Sequence, residues 1–164
     1  METRRERAEA IARRYIGVQD LFKDLGSGAE GFVFPSPSAT AIKVFSYAEK
    51  FERELAAYQR LAEWNVIDVC GLAVPRLVDF DRDLLVIEMT MVQRPFLLDF
   101  AQARLDEPLE FPESEDEMWA RLAEDFCPRL PDVQEIYYFL QNRYGIFYYD
   151  LAPRNIDFGD DLKK

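Results

Sequence analysis

The chain has 164 residues, of which 49% are hydrophobic and 14% aromatic, so it can bury the core of one domain or of two small lobes that share an interface. Its formal net charge of −11 argues against a surface for nucleic acid or for an anionic membrane. There is no histidine, and Cys70 and Cys127 are far apart without a C-x-x-C pairing, which excludes histidine-based catalysis, a disulfide framework and most zinc sites.

Residues 1–16 lack the apolar stretch of a signal peptide, and no other segment approaches the length that spans a membrane. Apolar residues recur at helical spacing from Ala8 to Ile16, which predicts a short amphipathic helix that packs on the rest of the protein. A membrane-surface helix is the alternative, which the small, alanine-rich apolar face disfavours. We therefore expect a cytoplasmic protein without membrane or nucleic-acid partners.

The next part of the chain has the composition of strands. "FVF" and "AIKVF" are β-forming runs separated by the turn stretch "PSPSAT", and "PRLVDFDRDLLVIEM" predicts two further strands around a polar turn at Asp81 to Asp83. Between these pairs, Ser46 and Glu49 form a capping-box pattern ahead of an apolar helical stripe. The patterns predict a lobe of strands with one helix.

The remainder of the chain is predicted to be mostly helical. Ser114 and Glu117 form a second capping-box pattern, Asp132 and Glu135 mark the start of another helix, and Gly145 marks its end. Strands followed by helices predict an α+β protein with a β-rich lobe joined to a helical lobe.

Three glycines, Gly26, Gly28 and Gly31, form a G-x-G-x-x-G-x-V pattern in "LGSGAEGFVF". Glycines let a backbone approach phosphates closely and point its amides at them. A dinucleotide-binding loop would be followed by a helix, whereas β-forming residues and two prolines follow here. The pattern therefore predicts a glycine hairpin between strands, with an ordinary tight turn as the alternative.

Lys43 is predicted to lie on an apolar face of its strand, because alternation places it with Ala41 and Phe45. On the following helix, Glu54 falls inside the apolar stripe, whereas Glu52 points to the opposite side. A carboxylate buried in such a stripe is costly unless it is paired, so we expect an ion pair between Lys43 and Glu54. A glutamate at the helix edge that reaches solvent is the alternative.

These motifs occur in the order found in protein kinases. The glycine loop, "AIKVF", Glu54 in "ERELAAYQRL", the strand "LLVIEM" and "DLAPRN" together cover about residues 21–158, and the chain resembles the protein kinase-like superfamily. The resemblance implies a two-lobed α+β fold. Residues 1–16 would form the N-terminal helix, residues 17–92 a β-rich N-lobe, and residues 93–164 a short helical C-lobe with a segment like the catalytic loop.

The resemblance also implies ATP and Mg²⁺ as cofactors. Lys43 would hold the ATP phosphates and be positioned by Glu54, while the backbone of Glu88 and Thr90 would hydrogen-bond the adenine edge. Leu25, Val33 and Ala41 would sandwich the adenine, with Ile87 at the back of the pocket. The implied cofactor-binding set is Leu25, Gly26, Gly28, Gly31, Val33, Ala41, Lys43, Glu54, Glu88 and Thr90.

In "YYDLAPRN", Asp150 matches the catalytic aspartate that accepts the proton of the substrate hydroxyl, and Asn155 matches a magnesium ligand. Tyr148 and Tyr149 stand where kinases usually have histidine and arginine. "DLAPRN" resembles the tyrosine-kinase sequence D-L-A-A-R-N, so Arg154 would carry the charge that faces the phosphates. The implied catalytic set is Asp150, Lys43 and Arg154.

Only one residue separates Asn155 from the "DFG" that begins at Asp157, whereas a kinase has a β-hairpin there, which needs about ten residues. We therefore expect "NIDF" to be the first strand of that hairpin and the activation segment and later helices to be absent. Asn155 and Asp157 would face the same way on an extended segment and could share one Mg²⁺. A solvated strand residue is the alternative for Asp157.

Three interpretations follow from the resemblance. One is an ATP-dependent kinase that transfers a phosphoryl group to the hydroxyl of a small molecule or of a docked protein partner. The second is an inactive pseudokinase that senses nucleotide or binds a partner as a scaffold. The third is a degenerate domain that binds no nucleotide.

Overall fold

The computed structural model describes residues 3–18, 26–27, 31–92, 97–98, 100, 103–108 and 114–159. Its elements, in chain order, are α1 (Arg4–Ile16), β1 (Gly26–Ser27), β2 (Gly31–Pro35), β3 (Thr40–Phe45), α2 (Ala48–Glu63), β4 (Asp68–Val69), β5 (Leu72–Ala73), β6 (Leu77–Asp81), β7 (Val86–Thr90), β8 (Leu97–Leu98), β9 (Arg104–Leu105), α3 (Glu115–Phe126), α4 (Leu130–Tyr144), β10 (Ile146–Phe147) and β11 (Ile156–Asp157).

The main sheet has five antiparallel strands in the order β1-β2-β3-β7-β6. Its register sets Gly26 opposite Val33, Val33 opposite Lys43, and Lys43 opposite Ile87. Directly opposed residues share a face of a sheet, so these four positions form one row across it. The row places the lysine between two branched apolar residues.

The two faces of the sheet pack against different partners. Ala41, Phe45 and Ile87 belong to the main core, whereas Ile42 and Val44 belong to a smaller cluster. The alternation predicted for β3 is therefore confirmed. The small cluster includes two alanines from the buried side of α1, Ala8 and Ala12.

Helix α1 packs on the outer face of the sheet, against β2 and β3, as its amphipathic pattern predicted. Thr3 and Glu6 form a capping box at its start, and Gly17 ends it with a left-handed φ of 76°. Within the described part of the chain, no helix has both the length and the apolar character needed to cross a bilayer.

Helix α2 begins at Ala48, with Tyr47 as its N-cap and no side-chain cap. The capping box predicted from Ser46 and Glu49 is wrong, because Tyr47 still has extended backbone angles (φ −141°, ψ 132°) and Ser46 lies one residue too early. The predicted apolar stripe of α2 is confirmed. Its buried residues are Phe51, Glu54, Leu55, Ala57, Tyr58 and Leu61.

Helix α3 begins as predicted. The Ser114 hydroxyl accepts from the Glu117 N–H (3.3 Å), and the Glu117 carboxylate accepts from the Ser114 N–H (2.8 Å). The Ser114 hydroxyl also donates to the Glu117 carboxylate at 2.9 Å. The pKa of Glu117 is lowered because its charged form accepts from the Ser114 N–H, which has the larger effect, and from the Ser114 hydroxyl.

Helix α4 starts earlier than its sequence pattern suggested. It begins at Leu130, after Arg129 as N-cap, and Pro131 is accommodated in the first turn, where a missing N–H costs little. Asp132 is therefore not the cap, and its carboxylate accepts from the Arg129 guanidinium at 3.1 Å. Gly145 ends the helix as predicted, with φ 66°.

The β-rich and helical parts share one core and one small sheet. The main apolar cluster runs from Ala41 in β3 to Phe158 near the end of the described chain. A second sheet, in the order β11-β8-β5-β4, pairs strands from both parts. The Arg60 guanidinium adds polar bonds to the Tyr144 carbonyl oxygen (2.8 Å) and to the Asp106 carboxylate (2.9 Å). The helical part is thus fixed against the end of α2.

Candidate functional site

A buried ion pair joins the main sheet to α2. The Lys43 ammonium donates to both carboxylate oxygens of Glu54, at 2.6 and 2.7 Å, and the two residues are 8% and 1% exposed. The Lys43 nitrogen also lies 5.0 Å from the centroid of the Phe45 ring. The pairing predicted from strand alternation and helix phase is confirmed. A cation is thereby fixed at the inner face of the sheet.

The surroundings of Lys43 are apolar. Ala41 and Ile87 are buried, and Val33 is partly buried against the same core. Ile87 stands directly opposite Lys43 on β7, and Val33 opposite it on β2. Two residues of the implied adenine site, Val33 and Ala41, thus lie on the same face as the lysine.

The packing of the sheet requires a glycine at position 31, whether or not a ligand binds. A Cβ at Gly31 would lie 2.1 Å from the carbonyl oxygen of Val44, on the neighbouring strand. Real Cβ atoms do not approach backbone so closely, so β2 and β3 can pair here only around a glycine. The third glycine of the motif is therefore explained by strand packing alone.

Of the other residues predicted for the glycine loop, the structure describes only Gly26. Gly26 forms part of β1, where its backbone pairs with Val33. Leu25 and Gly28 lie outside the described residues. Their roles at a nucleotide stay predictions.

Glu88 and Thr90 lie inside β7, which pairs with β3 on one side and β6 on the other. The Thr90 N–H donates to the Arg76 carbonyl oxygen at 2.9 Å, and the Thr90 hydroxyl accepts from the Arg76 N–H at 2.9 Å. To donate to an adenine, the Thr90 N–H would have to give up its hydrogen bond to the Arg76 carbonyl oxygen. The next two described residues, Met91 and Val92, lie beyond the end of β7 and belong to no strand.

The Glu88 side chain points to the outer face and anchors α1. Its carboxylate accepts from the Tyr15 hydroxyl at 3.1 Å and from the Thr40 hydroxyl at 2.5 Å. The pKa of Tyr15 is raised above its ordinary value, mainly by burial and secondly by the hydrogen bond to Glu88. The sequence pattern did not reveal this network, since residues 15, 40 and 88 belong to three separate elements.

The segment after α4 carries the second group of predicted residues. The chain leaves α4 through Gly145, forms β10, and then presents Asp150 in a loop. The Arg154 guanidinium donates to the Asp150 carboxylate at 2.6 Å, and the Asn155 amide donates to the Asp150 carbonyl oxygen at 2.8 Å. Asn155 is 6% exposed, so it holds the loop from within. Asp150, Arg154 and Asn155 are thus brought together.

Asp157 lies in β11, which pairs with β8. Its carboxylate accepts from the Gly159 N–H at 2.9 Å, which closes a local turn. The strand predicted for "NIDF" is confirmed in part, and the return strand predicted beyond Gly159 lies outside the described residues.

The donor chemistry of this segment suits Mg²⁺, because Asp157 offers a carboxylate and Asn155 an amide oxygen, and magnesium takes few protein ligands and several waters. Across the described ranges, no three Cys, Asp or Glu side chains are grouped so that they could hold a metal ion. The fit thus rests on two protein ligands, and the assignment stays a prediction.

Three aromatic rings form a column between the two groups of residues. Tyr58 on α2 packs edge-to-face on Phe100, with ring centroids 6.0 Å apart, and Phe100 packs on Tyr148 at 6.0 Å. Tyr58 lies one turn after Glu54, and Tyr148 lies two residues before Asp150. We call these three rings the aromatic column.

Two clefts lie beside this site. One, of about 280 Å³, is lined by Tyr58, Arg76 and Thr90 among others, and a second, of about 390 Å³, lies between α1 and the start of α2. Neither is lined by Lys43 or Asp150. The first cleft thus meets the predicted site only at Thr90, and the second lies on the α1 side of the sheet.

No protein-family model matches the chain, and no curated protein matches it. Among solved structures, it is similar to the streptomycin-ATP-APH(2'')-IIa ternary complex, with 19% identity and a TM-score of 0.38 over 84% of this chain and 41% of that one. It is also similar to the Rio2 kinase-ADP/Mg²⁺-phosphoaspartate complex from Chaetomium thermophilum, with 15% identity and a TM-score of 0.36 over 95% of this chain and 67% of that one. The chain spans less than half the length of the first protein.

The described residues form the mixed α+β architecture that the resemblance implied. An antiparallel sheet carries a central lysine that is paired with a helix glutamate, and a smaller helical part follows. Similarity at these identities and TM-scores carries no conclusion about this chain.

Proposed function

We propose that the chain binds ATP at the inner face of the main sheet and transfers its terminal phosphoryl group to a hydroxyl acceptor. The observation that carries the proposal is the buried ion pair between Lys43 and Glu54. Burying two charges costs several kcal/mol of desolvation, and well-packed apolar residues would serve stability as well or better. A fixed cation beside apolar walls is, however, suited to an adenine nucleotide, whose base has flat apolar faces and whose phosphates are anionic.

Within this proposal, Glu54 holds the Lys43 ammonium in place so that little side-chain order has to be gained when phosphates bind. Val33 and Ala41 would contact the base from the same face. The glycine loop would contribute backbone amides, which leaves Gly31 with a packing role in addition.

Asp150 would orient the acceptor hydroxyl and take up its proton, since phosphoryl transfer depends more on positioning than on a strong base. Arg154, which contacts the Asp150 carboxylate, would face the phosphates. Mg²⁺ would be held by Asn155 and Asp157 and would neutralise the negative charge of the phosphates when bound. The acceptor would be a small hydroxyl compound or a hydroxyl of a docked protein partner.

A nucleotide-binding scaffold without transfer activity is the second candidate. The contact between Arg154 and Asp150 favours it, because a carboxylate already bonded at 2.6 Å has to release or share that bond to meet an acceptor. Nucleotide binding through Lys43 is common to both candidates, so binding and turnover need separate experiments.

Binding is tested by thermal unfolding with millimolar ATP and Mg²⁺. A ligand at 100 times its dissociation constant stabilises by about 2.7 kcal/mol, so the melting temperature should rise by roughly 5–10 °C. The double variant Lys43→Met, Glu54→Leu removes the cation without leaving a lone buried charge, and it should lose the shift. Lys50→Met, on the same lobe, should keep it. A wild-type protein with no shift would rule out both candidates.

Turnover is tested by release of ADP from ATP with Mg²⁺, in wild type and in Asp150→Asn. We expect slow release in wild type that falls at least tenfold in the variant, with the ATP-induced melting shift preserved. Release unaffected by the substitution would rule out the role given to Asp150. A melting shift without any release would leave the scaffold as the function.

A further inference from the structure

Helix α4 has a second face that no described residue of the chain covers. Its inner face is buried in the main core through Val133, Ile136, Tyr137 and Leu140. A stripe on the other side is exposed and lines a shallow depression of about 440 Å³. We call it the α4 stripe, and its residues are Glu135, Tyr138, Phe139, Asn142 and Arg143.

The spacing of the α4 stripe is that of one continuous helix face. From Glu135 its members lie at i+3, i+4, i+7 and i+8, which are neighbours along two turns. Tyr138 and Phe139 in its centre are 42% and 40% exposed. A polar helix surface would not place two aromatic rings side by side in water, so this face has the composition of an interface core with a polar rim.

The central rings are already held in place. The Tyr138 hydroxyl donates to the Glu115 carboxylate, and its ring packs on Trp119 with centroids 6.1 Å apart. Phe139 packs edge-to-face on Tyr144 at 5.7 Å. Side chains that are fixed before binding lose little rotamer freedom on binding, which favours association.

The charges of the stripe are arranged symmetrically about Phe139. Glu135 lies four residues before it and Arg143 four residues after it, each about 6 Å along the helix axis. Neither forms an ion pair with any residue in the described ranges, and the Arg143 guanidinium lies over the Trp64 ring at 4.9 Å. The two ends of the stripe therefore carry opposite charges that the described part of the chain leaves without an ionic partner.

We propose that the α4 stripe binds the α4 stripe of a second copy of this chain, antiparallel and related by a two-fold axis at Phe139. Only this arrangement sets Glu135 of each copy against Arg143 of the other while it stacks the central rings. A contact made by a two-fold axis uses one patch twice, and a patch that is its own complement is what such a contact requires. The proposal does not depend on nucleotide binding.

The contact is expected to be weak. A single helix face buries less surface than the roughly 1,200–2,000 Å² of a stable complex, so the dimer should form only at high protein concentration. Sedimentation equilibrium of the full chain from about 1 to about 500 µM should give a mass that rises from 19.2 kDa towards twice that value.

The test uses charge reversal. Glu135→Arg and Arg143→Glu should each weaken the dimer at least tenfold, since each sets like charges against each other. An equimolar mixture of the two single variants should dimerise again, because both opposed pairs are then of opposite sign. The double variant Glu135→Arg, Arg143→Glu should dimerise like wild type.

Phe139→Asp should also give a monomer, and Val78→Asp, which changes an equally exposed apolar residue on β6, should leave the dimer intact. Circular dichroism should show that every variant is folded. A wild-type chain that is monomeric at the highest concentration overturns the proposal. Single charge variants that dimerise normally overturn it as well, as does a mixture that fails to recover.

Discussion

Replacing Glu54 by glutamine removes one charge from the site and little else. The Lys43 ammonium would then lie buried opposite a neutral amide, and breaking a buried ion pair in this way costs about 3–5 kcal/mol. For a domain of this size, each kcal/mol lowers the melting temperature by about 2–4 °C, so we expect a loss of roughly 6–20 °C.

Glu52 supplies a matched control on the same helix. It pairs with Arg82 at 3.0 Å, but the two side chains are 51% and 53% exposed. Exposed pairs contribute about 0–1 kcal/mol, so Glu52→Gln should change the melting temperature by less than about 4 °C. Thermal unfolding followed by far-UV circular dichroism measures both variants under the same conditions.

The double variant Lys43→Met, Glu54→Leu separates stability from binding. Apolar residues of similar volume in place of a buried pair are often neutral or stabilising, so the double variant should recover most of the stability lost in Glu54→Gln. It should not recover the ATP-induced shift. If Glu54→Gln is no less stable than Glu52→Gln, the ion pair is not buried as described and the reasoning fails.

Three further predictions concern packing and pH. Gly31→Ala should destabilise the chain by about 1–3 kcal/mol without any nucleotide, because the added methyl group meets the Val44 carbonyl, and urea unfolding should show it. Arg60→Ala should cost about 1–2 kcal/mol in the same assay, because it removes the bonds that hold the end of α2 to the helical part. Tyr15→Phe should cost about 1 kcal/mol at neutral pH through the lost bond to Glu88. It should also flatten the alkaline loss of stability, since wild type, with its raised Tyr15 pKa, loses stability as pH rises above the ordinary value of 10.0.

Each of these has a contrary outcome. Gly31→Ala with unchanged stability and weaker ATP binding would assign that glycine to phosphate contact alone. Arg60→Ala with wild-type stability would show that the apolar core alone joins the two parts. A Tyr15→Phe variant as sensitive to alkaline pH as wild type would place the responsible tyrosine elsewhere, since burial also raises the pKa of Tyr137.

Features that depend on the local period of a strand or helix could be predicted from the sequence. Alternation in β3 and helix phase in α2 placed Lys43 and Glu54 together, because both elements are long enough to show their period. Ser114 and Gly145 marked helix ends correctly, since their capping function needs only neighbouring backbone. The predicted start of α2 failed because the connection from β3 is one residue longer than the capping pattern assumed.

Contacts between distant segments were not predictable in this way. The short strands β4, β5, β8 and β11 have two residues each and therefore no period. Arg60 and Asp106 meet only because the fold brings α2 to the end of α4. The packing role of Gly31 depends on a carbonyl oxygen of the neighbouring strand, which no motif reveals.

The aromatic column links the two groups of predicted residues. Tyr58 lies one turn after Glu54, and Tyr148 lies two residues before Asp150. Phe100 packs on both rings, and all three side chains are fully buried. The lysine–glutamate pair and the Asp150 loop are therefore connected through one continuous set of packed rings, and truncating Phe100 would leave a cavity between them.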